Sequence, residues 1–279
     1  PIVLIVVDTL RADRLPAYGY RKIETPAIDG LAADGVLFEN AYTHVPLTLP
    51  AHASLFTGLL PPEHGVRDNL GYRLDAQKHP TLAALLKERG YATGGGISAW
   101  VVRGATGLGS GFDFYEDSLA APAGVDVAGL VQRPGGETLD RVLPWLDEVQ
   151  GGPFFLFFHI YEPHSPFEPP EPWKSRYPDP YDGEVAASDA IVGRLLDELR
   201  RRGLYDRALV MLTADHGEGL YDHGEEFHGI LLYREVLHVP LVVKLPGGSR
   251  RGERVAAPVP LVDVAPTPLD APGARAPNA

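Results

Sequence analysis

Three short apolar runs, each ending in acids or imidazoles, constrain the fold of this chain more than any other feature. Ile2 to Val7, Pro153 to Phe158 and Ala208 to Leu212 show none of the polar alternation of a strand with one wet face. Runs of this length without alternation suit strands covered on both sides, the usual condition of parallel sheets in α/β proteins. Asp8 follows the first run, His159, Glu162 and His164 follow the second, and Asp215 and His216 follow the third. Such groups are costly to bury alone, and the carboxyl ends of strands are where α/β sheets place their ligands.

The intervening segments read as helices and connections. Thr25 to Ala33 has a cap, a first-turn proline and apolar helical spacing; Thr81 to Arg89, Glu137 to Glu148 and Gly183 to Arg202 are amphipathic, two of them closed by a glycine. Val36 to Tyr42, Tyr91 to Ser98 with its three glycines, and Leu241 to Leu245 suit further strands, and Leu261 to Leu269 a terminal helix. Leu108 to Tyr115 and Ser118 to Gly136 read as an excursion around the sheet, and the proline-rich Phe167 to Pro180 as a surface loop. His64 and Arg67 read as ordinary loop residues. The 279 residues suffice for one large α/β domain or two smaller ones.

Composition narrows the function. A net charge of −12 argues against a nucleic-acid partner gripped through its phosphates, while a local cationic or metal-bearing pocket could still take a small anionic ester. The absence of cysteine excludes disulfides, Cys-ligated zinc and Cys nucleophiles. No apolar stretch reaches membrane-spanning length. Because the sequence starts on a strand, a signal peptide is either absent or already removed, so the compartment stays open, as does the oligomeric state.

Two stretches carry the chemistry. Val45 to Gly58 (VPLTLPAHASLFTG) reads as a proline-bounded turn opening a short helix, with Pro50 in its first turn and Gly58 at its end. The Thr48 hydroxyl would sit by the positive end of that helix, a place suited to an anionic ester; taken alone, it reads first as an N-cap. Thr213 to Gly219 sets Asp215 beside His216, a carboxylate and an imidazole able to reach one divalent ion at a glycine-rich turn. His223 and His228 follow within the next dozen residues, a density of ligand-type groups that packing rarely needs.

Asp8 after the first strand, Pro50-Ala51-His52-Ala53-Ser54-Leu55-Phe56-Thr57-Gly58 with Thr48 two residues before its proline, and Ala214-Asp215-His216-Gly217-Glu218 together resemble the sulfatase branch of the alkaline phosphatase superfamily. The resemblance spans Pro1 to about Asp270. It implies a three-layer α/β/α sandwich around a large mixed, mostly parallel sheet, with residues 1–270 as the catalytic domain. Residues 271–279 would be a short Pro/Ala-rich tail, and the family's smaller C-terminal subdomain would be missing. It further implies that Asp8, Asp215 and His216 bind a metal that also touches Thr48.

The departures are informative. Usual sulfatases carry Cys or Ser, converted to formylglycine, with arginine two residues after the proline; here Thr48 and His52 stand at those places. Threonine cannot supply the aldehyde hydrate, so the resemblance turns toward phosphodiesterase and phosphoethanolamine-transferase branches that use a threonine nucleophile. In the transferases, counterparts of His164 and His228 help hold the phosphoryl group or a second metal, and Asn69 resembles the asparagine of the nucleotide pyrophosphatase branch that donates to a nonbridging oxygen. His52, His159 and His223 read as supporting or substrate-binding groups. The expectation is a metal-dependent hydrolase of phosphate esters, with diesters or phosphonate esters ahead of monoesters. Thr48 attacks, His164 and His228 steady the oxyanion, and one or two divalent ions are bound. Zinc or manganese suits mixed N/O ligands better than calcium or magnesium. Two alternatives remain beside it: sulfate ester hydrolysis at the same site, and an inactive binding module on this scaffold.

Overall fold

The computed structural model describes residues 1–119 and 131–270. Among these, nine strands form one mixed sheet: β1 (Ile2–Val7), β2 (Val36–Tyr42), β3 (Ala92–Gly96), β4 (Phe114–Glu116), β5 (Phe154–Ile160), β6 (Leu209–Thr213), β7 (His238–Lys244), β8 (Glu253–Val255) and β9 (Val259–Pro260). Their order is β4-β3-β5-β1-β6-β7-β2-β8, with β9 also on β2. The run from β4 to β6 is parallel, and β7 lies antiparallel between β6 and β2. The three apolar runs are thus the central strands β5, β1 and β6, almost wholly buried, as their lack of alternation requires.

Helices cover both faces. Those at Pro26–Asp34 and Gly135–Val149 pack on the long Pro180–Arg201 helix, while Thr48–Thr57 and Leu82–Glu88 pack together elsewhere. The glycines of β3 show why these are two layers. A Cβ at Gly94 would lie 2.5 Å from the ring of Trp145 in the Gly135–Val149 helix, and one at Gly96 would strike Val142. Gly95 faces Phe112, whose ring packs 6.0 Å from Phe56 of the Thr48–Thr57 helix. Alternation along the strand sends the two contacts to opposite sides, and glycine lets both layers approach closely. The architecture is the expected α/β/α arrangement.

Several local expectations are corrected. β5 runs on through His159 and Ile160, which pair with Val6 and Val7, so His159 lies in the strand and not in the turn after it. Phe114–Glu116 is a short strand on β3, and β8 and β9 extend the β2 edge; these pieces of two or three residues are too short for a periodicity to register. The surface loop after Phe167 holds one helical turn at Trp173–Arg176, and Leu261 to Leu269 divides into a 3-10 turn and a short helix. Thr25 makes no capping bond. Its helix is capped by Asp189 of the long helix, buried at 2% exposure, which accepts from the amides of Ala27 at 3.1 Å and Ile28 at 2.8 Å. Part of the expected excursion, residues 120–130, and the expected tail, residues 271–279, lie outside the described residues. Among the described residues no helix is long and apolar enough to cross a membrane.

Register fixes the geometry of the site. Val6 stands opposite Thr213 in the parallel β1–β6 ladder, so Asp8 and Asp215 each lie two residues past a paired position.

Candidate active site

Asp8, Asp215 and His216 offer ligand atoms that all lie within 4.8 Å of one another, and all three are fully buried. Both oxygens of Asp8 and Oδ2 of Asp215 accept no hydrogen bond among the described residues. Two adjacent buried carboxylates with three oxygens left unpartnered are strongly unfavourable, and a divalent cation is the group that resolves them; the residues present fit one. Burial, then the charge of Asp8, drives the Asp215 carboxyl well above the ordinary carboxylate range. Burial would raise Asp8 too, but the facing imidazoles of His159, His164 and His216 overcome it and hold that group below its ordinary value. The other Asp215 oxygen accepts from the amides of His216 at 2.9 Å and Thr9 at 3.3 Å, which fixes its orientation.

Each imidazole has its tautomer set by a neighbour. His216 donates through Nδ1 to the Gly217 carbonyl at 2.9 Å, leaving Nε2 as a lone pair 3.4 Å from Asp215 and 3.8 Å from Asp8. Burial and the adjacent His228 push His216 well below the ordinary histidine value, so the ring is neutral. The Thr48 hydroxyl therefore donates to Nε2 of His216 at 3.3 Å. His164 donates through Nδ1 to the Ser165 carbonyl at 2.7 Å, and His228 donates through Nδ1 to Oε1 of Glu218 at 2.9 Å. The His228 ring lies 4.3 Å from His216 and 5.0 Å from His164, centre to centre. All three rings thus tie Nδ1 to an oxygen and keep Nε2 for the site, the usual arrangement around a bound ion.

Thr48 is the first residue of the Thr48–Thr57 helix, and its side chain makes no capping bond; the N-cap position is Leu47. The N-cap alternative falls, because the cap comes from elsewhere: Asn69 accepts the Leu49 amide at 2.8 Å through its side-chain oxygen. The amide nitrogen of Asn69 keeps no partner among the described residues. His52 lies under the helix start, fully buried, donating through Nδ1 to the Thr48 carbonyl at 2.8 Å and standing 3.6 Å from Asp215. Burial and the nearby His159 push it down to about 3, so it is a neutral support for the Thr48 backbone. His159 accepts the Ser98 amide at Nδ1, which leaves an Nε2–H 3.4 Å from Asp8. His223 stands apart: it is exposed, stacks on Tyr233 at 3.9 Å and meets Glu235 at 2.5 Å.

Several residues at this site escape a reading of the sequence. Thr9 sits at φ 54°, a left-handed conformation strained for a β-branched residue. Tyr181, from the long helix, accepts the Arg11 amide at 3.0 Å and donates to the Thr9 carbonyl at 2.8 Å, clamping that turn. Arg11, 3% exposed, spans from Asp13 and Asp222 to the Glu218 carbonyl, joining the end of β1 to the loop after β6. A buried arginine three residues past Asp8 looks like any charge in a sequence.

The sulfatase family's sequence model matches residues 1–274. The arylsulfatase of Clostridium perfringens is 26% identical over 96% of this chain and 74% of its own, and human iduronate 2-sulfatase is 25% identical over 88% of this chain and 60% of its own. This chain therefore spans from about three fifths to three quarters of these relatives' lengths. The phosphonate monoester hydrolase of Agrobacterium radiobacter has the same fold, with a TM-score of 0.81 at 24% identity over 96% of this chain and 73% of its own. With its mixed sheet and the carboxylate-imidazole group at the ends of β1 and β6, the chain belongs to the sulfatase family of the alkaline phosphatase superfamily, whose members are metal-dependent hydrolases of sulfuric and phosphoric esters.

Proposed function

We propose that this protein hydrolyses phosphate esters, diesters or phosphonate esters ahead of monoesters, with Thr48 as nucleophile. The observation that carries the reading is the Thr48 hydroxyl at 3.3 Å from Nε2 of His216, beside carboxylate oxygens that have no other partner. A divalent cation held by Asp8, Asp215 and His216 supplies Lewis acidity that favours ionisation of a hydroxyl at neutral pH. Zinc or manganese suits this mixed donor set better than calcium.

The chain's own groups do the rest. Thr48 Oγ1 loses its proton and forms a bond to phosphorus as the P–O bond to the leaving group breaks on the opposite side, and the departing alkoxide takes up a proton from solvent to leave as the alcohol. Water then cleaves the phospho-threonine. His164 and His228, each in its doubly protonated form with Nε2–H turned to the site, and the Asn69 amide steady the nonbridging oxygens, each well-placed donor contributing about 3 to 4 kcal/mol. His52 and His159 hold Thr48 and Asp8 in place.

Thr48→Ala should lower turnover of an aryl phosphonate ester by at least about a thousandfold, with Thr48→Ser recovering part of it; unchanged turnover in the alanine variant removes the nucleophile. Sulfate ester hydrolysis is the second reading, favoured by the arylsulfatase relative. Matched aryl phosphate monoesters, diesters and sulfates separate the two, and a sulfate preference reverses the order. If no metal binds and chelator changes nothing, the chain is a binding module on a sulfatase scaffold.

A further inference from the structure

A cavity of about 400 Å³ opens beside His228, and its walls include Phe227, Ile230, Leu231, Glu225 and Glu226. It shares His228 with the buried group, since that ring also contacts His216 and His164. Its apolar walls face water: Phe227 is 43% exposed and Ile230 83%. Exposed side chains of this kind are unremarkable on a loose loop, but this loop is pinned. The amides of Gly219, Leu220 and Tyr221 donate to the carbonyls of Phe227, Glu226 and Glu225 at 2.6 to 3.1 Å. The Glu225 carboxylate accepts the amides of Ile230 at 2.9 Å and Leu231 at 3.0 Å. Gly219, next to Glu218, approaches the backbone of Glu225 and Phe227 so closely that no Cβ fits. Apolar groups are thus held outward, at a fixed distance from the catalytic histidines, by a hydrogen-bonded frame.

Charge narrows the ligand. Among the described residues no lysine or arginine lines the cavity, one of its two carboxylates is already satisfied by backbone amides, and the other, on Glu226, is exposed. A multiply sulfated sugar or a nucleotide would meet negative charge there with no cation to answer it. We propose that this cavity is the leaving-group subsite and that it takes an uncharged, apolar alcohol. The proposal rests on the reading of the buried group as an ester-hydrolysing centre and names the substrate class of that centre.

The test compares ethyl and 2-(2-naphthyl)ethyl esters of one phosphonate, whose leaving alcohols have similar acidity, on the full chain loaded with manganese or zinc. The naphthylethyl ester should have a KM at least tenfold lower, and the Phe227→Ser/Ile230→Ser double variant should lose that ratio. Both positions are exposed, so the fold should tolerate the change. Independently of turnover, 2-(2-naphthyl)ethanol should shift the NMR amide signals of residues 224–231 in the wild type and not in the variant. Equal KM values in the wild type, or a ratio that survives the double substitution, overturn the subsite. Absent turnover on every ester, with the amide shifts intact, overturns the catalytic reading and leaves the cavity as an apolar-alcohol site.

Discussion

The Nδ1–H of His228 meets Oε1 of Glu218 at 2.9 Å, and Glu218 is itself wholly enclosed. Burial alone would lower the His228 pKa, but the hydrogen bond and charge of Glu218 raise it above the ordinary histidine value. Because the folded value is raised, the pair's stabilisation is fully present below the ordinary histidine pKa and is lost as pH rises through the folded one. Glu218→Gln should move the His228 titration to lower pH in metal-free protein, read from its imidazole proton signals. An unmoved titration would show that Glu218 does not set the charge of His228.

Asp215 shifts stability with pH in the same direction. Its raised value, from burial and then from Asp8, means that its contribution to the metal-free protein is most favourable below the ordinary carboxylate range and is lost as pH rises through the folded value. A cation that binds only the folded chain reverses this loss, by about 2.7 kcal/mol at a hundredfold excess over Kd. Thermal unfolding at pH 7 should therefore shift upward on adding manganese or zinc to the wild type and stay unmoved for Asp215→Asn. The same variant without metal should be no less stable than the wild type.

Gly94 has room for no side chain. A Cβ there would lie 2.5 Å from the Trp145 ring, a buried group braced against Phe154 and stacked on Phe114. Gly94→Ala should cost about 1 to 3 kcal/mol, measured by urea unfolding. A neutral result would mean that the Gly135–Val149 helix can withdraw from the sheet.

Asp189 joins two helices. Burial raises it to about 6, against the opposing effect of the Ile28 and Ala27 amides. Asp189→Ala should destabilise by about 1 to 2 kcal/mol, the worth of an N-cap. For the wild type, the protonation part of its contribution is greatest below the ordinary aspartate value and is lost as pH rises through about 6. Unfolding free energies at pH 4, 5 and 7 should show a slope over that interval that the alanine variant lacks.

The central strands and the Asp8, Thr48 and Asp215-His216 positions are legible in sequence, because burial on both faces leaves an unbroken apolar run and a run that stops on a carboxylate declares its end. Strands of two or three residues at the sheet edges leave no such trace. Partnerships across the chain are hidden for another reason: Asn69 capping Leu49, Asp189 capping Ala27 and Ile28, and Glu218 holding His228 depend on where elements fold against each other. His52 and His223 look equivalent as imidazoles in a sequence, yet one is enclosed beneath Thr48 and the other stacks in solvent on Tyr233.

The ladder that sets Val6 opposite Thr213 has a consequence for how the molecule matures. A slip of one residue between β1 and β6 would swing one carboxylate to the far face of the sheet and dissolve the metal-ligand set. Paired residues of the two strands, such as Ile2 and Leu209, lie far apart in sequence, so their pairing carries a large loop-closure cost. A chain in which β1 and β6 are out of register lacks the assembled Asp8, Asp215 and His216 group, so cation binding there would report that the two strands have paired correctly.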